Sequence, residues 1–272
     1  MEEHQFLLFS DIPNNIIHKW AEGEGVTEYL QPAGFTGEGE RGGELGSNGL
    51  FISNNGQLFL CQHGDRRIAR MDAPLDDPAP EFTTLAGSYN GNWLNSPNDL
   101  VQHSNGDIYF TDPPYGLPEG PNDTTNKELD FNGVYKVNAE GEVTLLTDSL
   151  SRPNGIDFSP DEKTLYVANS SGENPVWMAY DVQEDGTIAN GRVFHDASEF
   201  SGKEPGSQDG MDVDENGNIY ATGPGGVWIF SPDGTVLGKI KTNKPTSNCT
   251  LGEGGNTLFM TADDQLLSIS LK

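Results

Sequence analysis

The sequence predicts an all-β fold, a six-bladed β-propeller. Three observations carry that prediction. One short pattern recurs, its internal spacing is nearly constant, and each copy reads as a strand, a tight turn and a second strand. The copies open at Ser47-Asn48-Gly49-Leu50, Pro97-Asn98-Asp99-Leu100, Pro153-Asn154-Gly155-Ile156, Gln208-Asp209-Gly210-Met211 and Ser247-Asn248-Cys249-Thr250. From the Asn or Asp anchor to the second run is ten residues in four copies and eleven in the copy at Asn154. Anchors are 50, 56, 55 and 39 residues apart, close to the ~40–50 residues of a four-stranded propeller blade.

The elements follow in order. Leu7-Leu8-Phe9-Ser10-Asp11 parallels Ile108-Tyr109-Phe110-Thr111-Asp112 and is followed by a second run, Ile16 to Trp20. Counting ten residues back from Leu7 falls before Met1, so blade one is expected to lack its first strand. The blade anchored at Asn48 turns at Asn54-Asn55-Gly56 and resumes at Leu58. The next turns at Ser104-Asn105-Gly106 and resumes at Ile108, with a further strand from Gly133 to Val137. The fourth turns at Ser159-Pro160-Asp161 and resumes at Leu165. The fifth turns at Glu215-Asn216-Gly217, resumes at Ile219 and adds a strand from Gly226 to Phe230. The sixth turns between Gly252 and Gly255 and resumes at Leu258. A β-sandwich would not require such a repeat. One propeller domain over residues 1–272 is expected, because all-β folds reach ~250 residues as one unit.

Composition narrows the function. Fifteen Lys and Arg against 42 Asp and Glu give a net charge of −27, which disfavours a phosphate backbone as partner. No apolar run approaches the ~20 residues of a membrane helix, so no membrane partner is expected. No basic and apolar leader is visible. A cytoplasmic protein is expected, or a periplasmic or secreted one if a leader precedes Met1. Cys61 and Cys249 are too few for a disulfide framework or a cysteine zinc site, and read as buried thiols or one bridge. The acidity suits a saline medium, or reflects ordinary drift.

The anchors carry the chemistry. The innermost strands of a propeller face its channel. Asn48, Asn98, Asn154, Asp209 and Asn248 would then form a ring of oxygen donors, suited to Ca²⁺ first and Mg²⁺ or Mn²⁺ next. A single Asn-Gly or Asp-Gly is better read as a turn, but five copies in register outweigh that. His63, Arg66 and Arg67 stand together after a second run, as structural partners of nearby acids or as substrate contacts. Tyr115 lies in Asp112-Pro113-Pro114-Tyr115-Gly116, a rigid turn by default and otherwise a pocket wall. No Gly-x-Ser-x-Gly occurs, and Gly223-Pro224-Gly225-Gly226 lacks the Lys and Ser or Thr of a phosphate loop.

Several motifs together resemble the gluconolactonase/regucalcin family. They are Leu8-Phe9-Ser10-Asp11-Ile12-Pro13, Gly46-Ser47-Asn48-Gly49-Leu50, His63-Gly64-Asp65-Arg66-Arg67, Ser96-Pro97-Asn98-Asp99-Leu100, Thr111-Asp112-Pro113-Pro114-Tyr115-Gly116, Arg152-Pro153-Asn154-Gly155-Ile156 and Asp209-Gly210-Met211. The resemblance runs in order along nearly the whole chain, with the bacterial gluconolactonase branch most similar. It implies a six-bladed propeller holding one divalent metal ion, Ca²⁺ first with Mg²⁺, Mn²⁺ or Zn²⁺ as alternatives. It implies Asn154 and Asp209 as metal ligands. Asn98 would bind substrate or approach the metal. The family's third ligand, the Glu of a Glu-Gly-Pro motif, has no counterpart. It belongs just upstream of Leu7, and Glu2 and Glu3 are too close to fill the role.

The implied activity is hydrolysis of a small sugar lactone. The metal would polarise the carbonyl, Asp209 would act as general base on water, and Asn98, His63, Arg66 and Tyr115 would bind sugar hydroxyls. Two alternatives are another ester or phosphotriester hydrolase on the same site, and a catalytically weak metal-binding propeller module. A monomer or a homodimer is expected, the latter if a missing strand leaves an edge to pair.

Overall fold

Short apolar runs broken by Asn, Asp and Gly turns leave strands as the only regular elements. In a computed structural model, residues 6–252 and 254–271 are described, and among them are 24 strands and no helix. The chain divides into two compact units, one ending at Ser149 and the other starting at Leu150.

The first unit contains three blade sheets. β1 (Leu7–Asp11), β2 (Ile16–Ala21) and β3 (Gly25–Leu30) form a three-stranded antiparallel meander. β4 (Ser47–Ile52), β5 (Leu58–Gln62), β6 (Arg67–Met71) and β7 (Phe82–Ala86) form a four-stranded one. A small hairpin follows, β8 (Ser88–Tyr89) and β9 (Asn92–Trp93). β10 (Leu100–Gln102), β11 (Ile108–Asp112), β12 (Gly133–Val137) and β13 (Val143–Thr147) complete the unit. The small hairpin is absent from the repeat-based reading. Asn90 and Gly91 take φ of 51° and 86°, the left-handed pair that a two-residue hairpin turn requires.

The second unit repeats the plan. β14 (Pro153–Phe158), β15 (Thr164–Ser171), β16 (Asn174–Val182) and β17 (Ile188–Asp196) form one sheet. β18 (Met211–Val213), β19 (Ile219–Gly223), β20 (Gly226–Phe230) and β21 (Val236–Lys241) form the next. β22 (Thr246–Gly252), β23 (Thr257–Ala262) and β24 (Gln265–Ser270) form the last, with three strands. These six meanders are the blades of a six-bladed β-propeller.

Blade one agrees with the spacing argument. β1 has the length and place of β11, the second strand of its own blade, and no anchored strand precedes it among the described residues. Glu2 and Glu3 lie outside the described residues.

The core lies between neighbouring sheets. In the first unit, Ile17 and Leu30 meet Leu58, Leu60 and Met71, while Phe59, Cys61 and Ile68 meet Leu100, Phe110 and Tyr135. In the second, Tyr166 and Trp177 meet Ile219, Trp228 and Phe230, and Val227 meets Cys249, Leu258 and Met260. A blade with neighbours on both faces needs apolar residues on both, so β5 is buried at every position instead of alternating. The outer strands β17 and β21 have no such cover and are largely exposed. Both cysteines are buried thiols, and no disulfide joins them.

Candidate active site

The anchors are not turn residues. Asn48 and Asn154 sit inside β4 and β14, where pairing skips between Ser47 and Leu50 and between Pro153 and Ile156. Asn248 lies at a similar skip between Thr246 and Asn248. Asn98 and Asp209 stand just ahead of β10 and β18, and their amides donate to the carbonyls of Thr111 at 2.8 Å and Thr222 at 3.3 Å. A bulge at the strand entrance takes the anchor out of the regular ladder and re-aims its side chain.

The residue after the anchor sets the spacing of blades. A Cβ on Gly155 would stand 2.2 Å from the Asp209 carbonyl oxygen. One on Gly210 would stand 2.0 Å from Asn248 Oδ1. One on Gly49 would stand 2.8 Å from the Asn98 carbonyl oxygen. Glycine therefore lets one anchor lie directly against the next. The Gly49 amide donates to the Asn98 carbonyl at 2.7 Å, and the Gly210 amide to that of Ser247 at 2.8 Å.

In the second unit this brings Asn154, Asp209 and Asn248 onto three neighbouring strand entrances. Asn154 is 4% exposed and Asp209 is half-buried. Asn154 Nδ2 donates to Ser170 Oγ at 2.9 Å, and Ser170 Oγ donates to the Gln208 carbonyl. With its nitrogen so engaged, Asn154 has Oδ1 as its acceptor atom. The Asn248 Oδ1 accepts from the Cys249 amide at 2.8 Å. Among the described residues no group of three or more His, Cys, Asp and Glu side chains is placed to hold a metal ion. Asn154 and Asp209 instead offer one amide oxygen and one carboxylate, a donor pair that fits a hard cation.

In the first unit Asn98 is 3% exposed and lies against Gly49, beside the Asn48 anchor. His63 is completely buried, with Nδ1 at 2.9 Å from Glu44 Oε2 and Nε2 at 3.5 Å from Asn48 Nδ2. Arg66, with φ of 55°, sends Nε to the carbonyls of Leu94 at 2.7 Å and Asn95 at 3.1 Å. Arg67 pairs with Asp65 at 2.9 Å, the structural alternative for that basic pair. Tyr115 is half-buried in a turn that Ser96 pins, accepting from the Gly116 amide at 2.9 Å and donating to the Pro113 carbonyl at 2.6 Å. Thus Asn98 and Asn48 come together, and His63 joins Asn48, whereas Arg66 turns its Nε to backbone carbonyls.

Three polar residues escaped the sequence reading. Asp112 was visible only as the start of a turn. It is wholly buried, and its two oxygens accept from the amides of Asn95 and Ser96, each at 2.8 Å. Burial pushes its carboxyl up to about 7, although both amides and the Arg66 guanidinium pull the other way. Glu44 and Arg41 lie on the strandless segment 31–46, where no periodicity marks them. Arg41 donates to the carbonyls of Gly116 at 2.8 Å and His63 at 3.2 Å.

The model of the SMP-30/Gluconolactonase/LRE-like region matches residues 1–264. A gluconolactonase from Zymomonas mobilis is 38% identical over 273 residues, covering 98% of this chain and 75% of that protein. The solved structure of a gluconolactonase from Xanthomonas campestris superposes with a TM-score of 0.82 at 33% identity, covering 98% of this chain and 82% of that one. A calcium-binding regucalcin from Agrobacterium tumefaciens gives 0.70 at 19% identity, over 94% of this chain and 78% of its own, a likeness of fold alone.

Proposed function

The chain belongs to the SMP-30/gluconolactonase/LRE-like family of lactone-hydrolysing enzymes, and from that premise we propose that it opens aldonolactones to aldonic acids with the help of one divalent metal ion. The observation that carries the metal assignment is the contact of two neighbouring strand entrances in the second unit. Gly155 lets the strand of Asn154 lie against Asp209, so an amide oxygen and a carboxylate come from adjacent blades. Ca²⁺ is the first choice for such oxygen donors.

Asn154 and Asp209 would hold the ion. When bound, it would supply positive charge to the lactone carbonyl oxygen as negative charge develops there. Asp209 orients a water molecule and takes its proton as the water oxygen bonds to the carbonyl carbon. The bond from that carbon to the ring oxygen then breaks, and Asp209 returns the proton to the ring oxygen. Asn98, Arg66 and Tyr115 supply hydrogen-bonding groups for sugar hydroxyls in this reading. Half-buried Ser170 holds the Asn154 amide in one orientation, so its oxygen is preorganised.

The test is hydrolysis of glucono-1,5-lactone by metal-stripped protein, followed by proton release above the spontaneous rate. Ca²⁺, Mg²⁺, Mn²⁺ or Zn²⁺ is added back singly. The expected result is turnover that returns with metal and is abolished in Asp209→Ala. Aryl esters and organophosphates run beside the lactone, and a preference for either would displace the lactone assignment. Asp209→Asn that kept most activity with unchanged metal binding would remove the general-base role.

A further inference from the structure

We propose that Glu44 and His63 are positioning residues that aim the Asn48 amide oxygen at the substrate, so that Asn48 is a further substrate-binding residue. The inference rests on the lactonase reading above.

His63 has no exposed surface and cannot touch a sugar directly. Its ring nevertheless links two better-exposed groups. Glu44, with 43% of its side chain exposed, accepts at Nδ1 over 2.9 Å. Asn48 Nδ2 faces Nε2 at 3.5 Å. A carboxylate is an acceptor, so Nδ1 carries the proton. Nε2 then offers a lone pair, which selects the nitrogen end of the Asn48 amide. The oxygen end is turned away from the ring.

The backbone around this relay is held at several points. Ser10 Oγ donates to the Asn48 carbonyl at 2.7 Å, and the Gly46 amide donates to that of Ile12 at 2.8 Å. Arg41 ties the segment carrying Glu44 to the carbonyls of Gly116 and His63. A Cβ on Gly43 would stand 2.3 Å from the Leu117 carbonyl oxygen, so the segment lies flat against the Leu117 turn. A Cβ on Gly116 would stand 2.5 Å from His63 Cβ, which leaves the ring little room to shift. Long segments without regular structure are uncommon inside a domain unless they serve a function. Here the segment delivers one carboxylate to one buried ring. Asn48 itself is half-buried and lies beside Asn98, because the Gly49 amide meets the Asn98 carbonyl.

The experiment combines a double-mutant cycle with nitrogen-15 spectra of the imidazoles. Glu44→Ala and Asn48→Ala should each lower kcat/KM about tenfold, mainly through KM, because a misdirected contact loses orientation. The double variant should be no worse than Asn48→Ala alone. Losses that multiply to about a hundredfold would show independent roles and overturn the inference. Glu44→Gln keeps an oxygen acceptor and should stay within about twofold of the parent. A tenfold loss there with an unchanged melting temperature would also overturn it. The His63 signal, assigned by its loss in His63→Gln, should show the Nδ1–H tautomer in the parent and a mixture in Glu44→Ala. An Nε2–H tautomer or an imidazolium in the parent would reverse the Asn48 amide and refute the geometry. A parent that hydrolyses no lactone would refute the functional reading instead, and the spectrum would still decide the relay.

Discussion

Asp112 shows how much one side chain can do when it leaves the surface. Its two oxygens replace water for two backbone amides and so hold the chain that enters blade three. The folded carboxyl titrates near about 7, above the ~4 of a free side chain. Between those values the folded state keeps a proton that the unfolded state has released. Its contribution is therefore full below about 4, falls as pH rises toward about 7 and is level above that. Asp112→Asn should remove this slope. Thermal melts from pH 4.5 to 8 would show it as a parent-minus-variant difference that shrinks as pH rises. The variant also leaves one buried amide with a poor acceptor, at a cost of about 1–3 kcal/mol. A difference independent of pH would assign the carboxylate form throughout.

At the scale of the strand, the glycine after the anchor sets how closely blades approach. Gly155→Ala places a methyl group against backbone, which cannot swing aside. Overpacking of this kind costs about 1–3 kcal/mol. If Asn154 and Asp209 hold a divalent ion as proposed above, the substitution should also lower affinity for that ion, because the two residues move apart. Gly172→Ala is the control, since nothing lies within 4 Å of its Cβ position. Denaturant melts and metal titrations of both variants would separate the two. The sheet faces depend on different chemistry. Phe110 in β11 is fully buried and stacks on Tyr135 with centroids 5.3 Å apart. Phe110→Ala should cost about 3–5 kcal/mol, read from the shift in denaturant midpoint. Truncation of exposed Leu237 in β21 should fall within about 0.5 kcal/mol of zero.

For the whole molecule the dominant fact is charge. A net charge of −27 opposes compaction, and most of it sits on surface carboxylates that water and salt can reach. The screening length falls from ~30 Å at 0.01 M salt to ~8 Å at 0.15 M. The melting temperature should therefore climb steeply over that range and flatten beyond it. A melting temperature that ignored salt would mean that local ion pairs, such as Arg192 with Asp181 at 2.7 Å, already balance the repulsion. The first two strands of each anchored blade, their turns and the five anchors were legible in the sequence. These depend on side-chain alternation and turn chemistry within about ten residues, which the linear order displays directly. The bulges that re-aim the anchors, the burial of Asp112 and the pairing of Glu44 with His63 were decided by tertiary structure. Each needs groups from different loops or blades to meet, as Arg41 meets Gly116 across 75 residues, and the local pattern around either partner is the same whether or not they do.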